Sequence, residues 1–314
     1  MTSELNLYAG VIAGHYKSGM RRLYVFTQAA SSSFVHHLLH QFPSLNLDLV
    51  IHTTHYNQIS LWDHFQYEEL VNKTGRVNVS YYRGKVPDQV TLLIWQDPYP
   101  FGTIAYTSDA SFSWKGLNEC TALAREMNME SLTEPVPVWE RLDSTSPNVL
   151  NELSMQFQME VKREQIDVIS LRQCALKHPF VVLPLVMVKR NRQVHEKSGL
   201  NWGQRPRREP NQAYIPIPSH IHINSPGFFP PRKQEFVMVT DDGASFICVV
   251  AQDNDKALET SHDNSILGKY FRNRLGVPLG GKVEATHLSR YGRDDVYIYR
   301  LDEDTYYMDF KYQT

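Results

Sequence analysis

The chain contains 314 residues, of which 42% are hydrophobic, and it carries a formal net charge of −2 at pH 7. A chain of this length and composition is expected to fold into two globular domains. Its most apolar run, Phe180 to Val188, is too short to cross a bilayer and is broken by Pro184. The amino terminus lacks the basic start and apolar run of a secretory signal. We therefore expect a soluble, intracellular protein located in the cytoplasm.

The first half of the chain alternates between strand and helix patterns. Runs of β-branched and aromatic residues predict strands at Arg22 to Thr27, Leu47 to His52, Val77 to Arg83, Val90 to Trp95 and Thr103 to Thr107. Apolar residues at helical spacing predict one helix that follows the capping serines at positions 31–33 and a second helix from Trp62 to Asn72. This alternation favours an α/β layer with a mixed sheet.

The middle of the chain changes composition. Thr133 to Asn151 is rich in Pro, Ser, Thr and acidic residues, which predicts a loop or tether. Val149 to Ile169 has helical periodicity without Pro or Gly, and such a helix would pack on the first domain or bridge the two domains. We therefore predict a first domain at residues 1–132, a linker with a bridging helix at 133–178 and a second domain at 179–314.

The second half is dominated by strand patterns. Strands are predicted at Val181 to Val188, Ala213 to Ile217, Phe236 to Thr240, Ser245 to Ala251 and Val296 to Leu301. Asp241-Asp242-Gly243 predicts a hairpin connection between two of these strands. Ser265 to Leu275 is the one predicted helix of this half. Many short strands with few helices favour a small barrel or sandwich, in which the frequent tyrosines pack rather than stack on nucleic-acid bases.

A basic stretch stands out in this half. Lys189 to Arg208 contains seven Lys and Arg residues against one acid, Glu196, a formal charge of +6 that leaves −8 for the rest of the chain. Such a patch on an otherwise acidic protein is typical of surfaces that dock on phosphates. Its arginines and amides also match the hydrogen-bonding edges of guanine and adenine in the major groove. The alternative is a solvated loop whose charges serve solubility.

Four sequence runs of the second half then point to a family. In order, they are HEKSGLNWGQRPRREPNQAYIPIP from His195, FVMVTDDGASFICVVAQ from Phe236, NSILGKYFRNRLGVPLG from Asn264 and RYGRDDVYIYRLDEDTYYMDF from Arg290. Over roughly the last two-fifths of the chain, from about Val181, they closely resemble the C-terminal DNA-binding domain of NgoFVII-type restriction endonucleases. The resemblance implies a seven-stranded pseudobarrel, like that of plant B-three transcription factors, with two arms that enter the major groove.

The resemblance also implies which residues contact DNA. It places an N-terminal arm at Lys197 to Asn211 and a C-terminal arm at about Asp253 to Arg274. Within the first arm, the implied contacts are Lys197, Ser198, Asn201, Trp202, Gln204, Arg205, Arg207, Arg208 and Asn211. Within the second arm, they are Asn264, Tyr270, Arg272, Asn273 and Arg274. Asn264 is further expected to cap a helix whose first amides stay available for phosphate.

In the same family, the first domain resembles phospholipase D. Its nuclease site uses a His-x-Lys pair on a strand and an Asn in a following turn, which act on the phosphate without a metal ion. The matching positions of this chain are Gln89, Thr91 and Ser111. Because these residues provide neither a nucleophile nor a cation, we predict a degenerate domain. A separate His-x-Lys pair, His15 and Lys17, precedes the first predicted strand and is interpreted as part of a solvated loop.

Metal sites and cofactors are not expected. His36 and His40 share one face of a predicted helix, the spacing of a metal pair, yet no carboxylate or cysteine follows at a ligand spacing, so a polar helix face is favoured. The three cysteines at positions 120, 174 and 248 are far apart, which predicts reduced thiols.

Three functions remain open at this stage. The favoured one is a sequence-specific double-stranded DNA-binding protein, a catalytically degenerate subunit of a restriction or anti-phage system. The family resemblance implies a homodimer and a helicase-like ATPase as partner. The alternatives are an active, metal-independent restriction endonuclease and a repressor-like DNA-binding protein.

Overall fold

The computed structural model describes residues 6–53, 59–84, 91–97, 102–119, 125–127, 140–153, 168–187 and 192–311. The chain divides into two compact units, residues 1–164 and 165–314. Among the described residues, no helix is long and apolar enough to cross a membrane.

The first unit is built on a seven-stranded mixed sheet. Its strands are β1 (Arg22–Thr27), β2 (Asn46–His52), β3 (Val77–Tyr82), β4 (Thr91–Asp97), β5 (Gly102–Ser108), β6 (Arg125–Met127) and β7 (Leu142–Asp143). The spatial order is β6-β5-β4-β1-β2-β3-β7. The three strands β1, β2 and β3 run parallel to one another, and the remaining neighbours pair in the antiparallel sense. The predicted α/β layer with a mixed sheet is therefore confirmed.

The described α-helices of this unit are α1 (Gly14–Ser18), α2 (Ser32–Gln41), α3 (Leu61–Thr74) and the short α4 (Val149–Glu152). Two of them, α2 and α3, connect the parallel strands, whereas α1 precedes β1 and α4 follows β7. As predicted, Ser31 caps α2, because its hydroxyl accepts a hydrogen bond from the amide of Phe34. The amino-terminal π-helical segment Leu7–Ala13 was not predicted. It is anchored by Trp95, whose indole nitrogen donates to the carbonyl of Val11 at 3.0 Å.

Part of the stretch predicted to be a linker adds to the first sheet. Leu142–Asp143 pairs with β3, where Tyr81 faces Leu142. Of the helix predicted from Val149 to Ile169, the structure contains α4 at the start and, in the second unit, helix α5 (Val168–Ala175). Positions 154–167 lie outside the described residues.

The second unit is a curled seven-stranded sheet. Its strands are β8 (Phe180–Pro184), β9 (Ile215–Pro216), β10 (Glu235–Thr240), β11 (Ser245–Ala251), β12 (Ala257–Thr260), β13 (Asp295–Arg300) and β14 (Thr305–Asp309), in the spatial order β8-β13-β14-β10-β11-β12-β9. The two edge strands, β8 and β9, approach within 8 Å between Cα atoms, so the sheet nearly closes into a barrel. The remaining seam opens as a groove of about 660 Å³ lined by residues that include Leu185, Met187 and Tyr214. This architecture agrees with the expected pseudobarrel.

Besides α5, which packs against β14, the second unit has three described α-helices after Phe180, where the sequence predicted one. Helix α7 (Ser265–Leu275) has the predicted bounds and buries Leu267, Phe271 and Leu275 in the barrel core. Helices α6 (Ser219–Asn224) and α8 (Ala285–Tyr291) were not predicted, and neither were strands β12 and β14. The tyrosines of β14 are fully buried, and the Tyr306 hydroxyl donates to the Phe228 carbonyl at 2.6 Å. These tyrosines are therefore packing residues of the barrel, as expected.

Candidate nucleic-acid interface

The described part of the basic stretch, from Arg192, lies between β8 and β9 in the chain, and we call residues 197–211 the arm. It contains a 3-10 helix, Gly199–Gln204, and folds back on itself where the Gly203 amide donates to the Gln212 carbonyl at 2.7 Å. At Gly203, a Cβ atom would lie 2.4 Å from the Glu209 carbonyl oxygen. The two sides of the loop can approach this closely only because residue 203 is glycine.

The base of the arm, residues 199–204 and 210–213, is called the root. Its first anchor is Asn201, which is fully buried. The side chain of Asn201 donates to the carbonyls of His195 and Val283, at 3.0 and 2.8 Å, and accepts from the Val283 amide at 2.8 Å. Asn211, 8% exposed, accepts from the Gly280 amide at 2.6 Å. Both asparagines were predicted DNA contacts, and the structure places them inside the root, where they satisfy backbone groups.

Arg272 is the second anchor of the root. This side chain, on α7, is fully buried and donates to five backbone carbonyls at 2.9 to 3.3 Å, those of Leu200, Pro210, Asn211, Gly268 and Gly281. The five acceptors belong to both sides of the root, to α7 and to the loop before α8. Burial lowers the pKa of the Arg272 guanidinium. Arg272 therefore fixes the arm to the barrel, and its guanidinium does not reach the surface.

The outer part of the arm, residues 205–208, is called the tip. Its three arginines are exposed. The Arg205 Nε atom donates to the Lys197 backbone carbonyl at 2.7 Å, which holds the Arg205 side chain against the start of the arm. Arg208 stacks over the Trp202 ring at 3.8 Å and donates to the Gln212 side chain at 3.0 Å.

Arg207 is an exposed cation of the tip. Its backbone has a φ of 66°, a left-handed conformation that non-glycine residues seldom adopt. Within the part of the chain that the structure describes, its exposed guanidinium has no hydrogen-bond or ion-pair partner. Arg192, at the start of the basic stretch, differs because its guanidinium is paired with Asp294. Among the described arginines of the basic stretch, those at the tip therefore offer positive charge to a ligand, whereas Arg192 is paired.

The region predicted as a second arm, residues 253–274, is mostly part of the barrel. It consists of a 3-10 turn, Asp253–Asp255, followed by β12 and α7. Arg274 is fixed by Asp241, with a nitrogen-oxygen distance of 2.8 Å, and also donates to the Tyr270 hydroxyl at 2.8 Å. Tyr270 is 8% exposed, and burial raises the pKa of its hydroxyl. Asn273 is the exposed member of this predicted set.

The expected phosphate site at the start of α7 is corrected by the structure. The Asn264 side chain forms no cap and donates to Glu259 at 3.3 Å. The first helical amide, that of Ser265, donates to the Asp263 carboxylate at 2.9 Å. Hydrogen bonds from Ser265 lower the pKa of Asp263 and keep it charged. A negative carboxylate therefore occupies the position at which the sequence predicted a phosphate.

In the first unit, the predicted remnants of a nuclease site lie at one end of the central strands β1 and β4. Thr91 is buried, and its hydroxyl contacts the Thr27 hydroxyl at 2.8 Å and the Ala110 carbonyl at 2.5 Å. The Ser111 hydroxyl lies 2.8 Å from that of Ser113. Gln89 lies outside the described residues. The described groups are neutral hydroxyls that hydrogen-bond to one another and to backbone.

The remaining histidine candidates lie on helices. His15 is in α1, where a solvated loop was predicted, and its Nε2 atom lies 2.8 Å from the Tyr106 hydroxyl. His36 and His40 occur in α2 as predicted, with stacked rings 6.5 Å apart. Two of the cysteines, Cys174 and Cys248, are free thiols, and burial raises the pKa of Cys248.

A nearly closed barrel that presents a rigid, cationic loop has the form of a nucleic-acid-binding domain. Residues 176–302 match the family model of the NgoFVII C-terminal B3-like DNA-binding domain. The second unit of the chain therefore belongs to this family of DNA-binding domains, which confirms the resemblance inferred from the sequence runs. No curated protein matches the chain.

Proposed function

We propose that the chain is a sequence-specific double-stranded DNA-binding protein that reads base edges with the arm tip. The observation that carries this proposal is the exposed set Arg205, Arg207 and Arg208 on a root fixed by buried hydrogen bonds. A guanidinium on a rigid support suits bidentate recognition of guanine, because little side-chain freedom is lost on binding.

The dimensions of the arm support entry into the major groove. The arm consists of two adjacent chain segments, which are joined at its base by the hydrogen bond from Gly203 to Gln212. The major groove is about 12 Å wide and admits a two-stranded element. Lys197 is joined to Arg205 through its backbone carbonyl and would contact phosphate at the groove edge, whereas the exposed Arg207 would reach the bases. In this assignment Asn201, Asn211 and Arg272 position the arm, and Arg274 stabilises the barrel.

We further propose that the first unit is a degenerate phospholipase-D-like domain. Its support is the family of the second unit together with the hydroxyls of Thr91 and Ser111, which titrate far from neutral pH and carry no positive charge. By the same reasoning from the family, the chain would act as a homodimer in the cytoplasm, within a restriction or anti-phage system that contains a helicase-like ATPase. An active metal-independent endonuclease and a repressor-like protein are the competing assignments.

One experiment separates the endonuclease from the two assignments without cleavage. The full chain is used to select ligands from a library of random-sequence DNA duplexes, and the enriched duplex is then incubated with the protein in EDTA. We expect one enriched motif and intact DNA. Enrichment with cleavage in EDTA would establish the endonuclease, because only a phospholipase-D-like site cuts without metal. Equal binding to all sequences would contradict base reading by the arm.

A further inference from the structure

A short turn lies directly beside the arm root. Residues 278–282 connect α7 to α8, and Leu279 in this turn is 59% exposed. Lys282, at its end, has a side chain that is 45% exposed. A single exposed leucine is common on protein surfaces and needs no functional explanation. This turn is distinguished by the hydrogen bonds that hold it and by its position beside the root.

The turn is hydrogen-bonded to both segments of the root and to Arg272. The contacts are Gly280 amide to Asn211 Oδ1 at 2.6 Å, Gln204 Nε2 to the Gly280 carbonyl at 3.1 Å, and Arg272 Nε to the Gly281 carbonyl at 2.9 Å. Val283, the residue that follows the turn, is held by two hydrogen bonds with the Asn201 side chain. The turn and the root therefore form one rigid element.

This attachment determines what the turn meets when DNA is bound. If the tip enters a groove about 12 Å wide, the root lies at the groove edge, where the phosphates run. A turn bonded to the root faces the same strand of phosphates. The Lys282 ammonium group is paired with Glu196 at 3.4 Å, and both side chains are substantially exposed. Because exposed pairs of this kind contribute little, a phosphate can replace Glu196.

We propose that residues 278–282 form a further DNA-contacting element, in which Lys282 binds a phosphate and Leu279 packs against the sugar-phosphate backbone. The proposal rests on the proposed function of the arm. In this proposal, the side chains of Asn211, Gln204 and Arg272 position both the turn and the arm.

The first test introduces a negative charge at the turn. Leu279→Asp is compared with Leu176→Asp, an equally exposed leucine (57%) that directly follows α5. Leu176 precedes β8, a five-residue strand of about 17 Å, and the arm comes after the other end of this strand in the sequence. Binding of the full chain to a 20-base-pair random-sequence duplex is followed by fluorescence anisotropy at low salt. We expect Leu279→Asp to weaken binding about tenfold, through repulsion of phosphate, and Leu176→Asp to leave it unchanged.

The second test counts phosphate contacts. Lys282→Gln is compared with Lys177→Gln, an exposed lysine after α5. Loss of one phosphate contact should lower the slope of log K against log salt by about 0.9, and only Lys282→Gln should show this change. Equal affinities and slopes in the Lys282→Gln and Leu279→Asp variants and the wild type would overturn the proposal.

An arm variant, Arg205→Ala with Arg207→Ala, is measured in parallel so that the two proposals fail separately. If this variant binds weakly while the turn variants bind normally, the arm is correct and the turn is wrong. If the arm variant binds normally, the proposed function itself fails, and the turn proposal fails with it.

Discussion

At one end of the central strands of the first sheet, the hydroxyls of Thr27, Thr91 and Ser111 contact other hydroxyls and backbone, whereas the arm of the second unit exposes three arginines. Both regions carry polar side chains on a well-packed scaffold. They differ in whether their polar groups remain available to a ligand. Hydroxyls that hydrogen-bond to one another have little remaining capacity to bind, whereas exposed cations on a rigid support can still bind phosphate and bases. The comparison assigns DNA recognition to the second unit.

The same distinction divides the arm itself. The predicted DNA contacts were mostly arginine and amide side chains, yet Arg272 and Asn201 are fully buried and Arg207 is exposed. Residue type alone therefore does not identify a DNA contact. The following predictions test this division and the difference between the two units.

The largest effect is expected at Arg272. Arg272→Ala removes a buried guanidinium and leaves five carbonyls without their donor, which should lower the free energy of unfolding by about 3 kcal/mol or more. DNA affinity should fall with it, because the arm loses its anchor. Asn273→Ala is the matched control, an exposed neighbour whose loss should change stability by less than about 0.5 kcal/mol. Urea denaturation followed by circular dichroism measures both. Unchanged stability of Arg272→Ala would refute the division into root and tip.

The tip should show the opposite behaviour. The double variant Arg205→Ala with Arg207→Ala should keep its stability and lose about 100-fold in affinity for the selected duplex, from two contacts of about 1.4 kcal/mol each. Anisotropy titration over several salt concentrations tells the two kinds of contact apart. A variant at a base-reading arginine tolerates other bases at one position, whereas a phosphate contact weakens all sequences alike. Lys177→Ala serves as a control for the loss of an exposed charge.

The first unit should respond more strongly to pH. His64 on α3 is fully buried and lies 2.8 Å from the Tyr81 hydroxyl, and burial lowers the pKa of His64 from 6.5 to about 4. Between these values the unfolded chain binds the proton and the folded chain does not, so stability falls as pH falls below 6.5. The expected loss is about 2 kcal/mol by pH 5, at about 1.4 kcal/mol per pH unit.

Thermal denaturation between pH 7 and 5 measures this loss. His64→Gln keeps a hydrogen-bonding side chain without the titration and should show a smaller decrease over the same range. An equal decrease in the wild type and in the variant would assign the pH dependence to other groups.

The sequence predicted the strands and the arm more accurately than the roles of the arm residues. Strands such as β11 and helix α7 follow from periodicity over seven or more residues, and their bounds were predicted correctly. Helices α6 and α8 contain six and seven residues, too few for a periodic pattern to emerge. The burial of Arg272 was not predictable, because two of its acceptors, on Leu200 and Pro210, lie 72 and 62 residues earlier in the chain.

The smallest expected effect concerns cleavage. Metal-independent hydrolysis of a phosphodiester requires a nucleophile, a proton donor and a positive charge near the phosphate. Thr91 and Ser111 supply hydroxyls only. We therefore expect the wild type to leave the selected duplex intact in EDTA, and His15→Ala to behave identically, since the His15 Nε2 atom is bonded to the Tyr106 hydroxyl. Gel electrophoresis of end-labelled duplex measures both. Cutting by the wild type that is lost in His15→Ala would move a nuclease site to α1 and make the first unit the catalytic one.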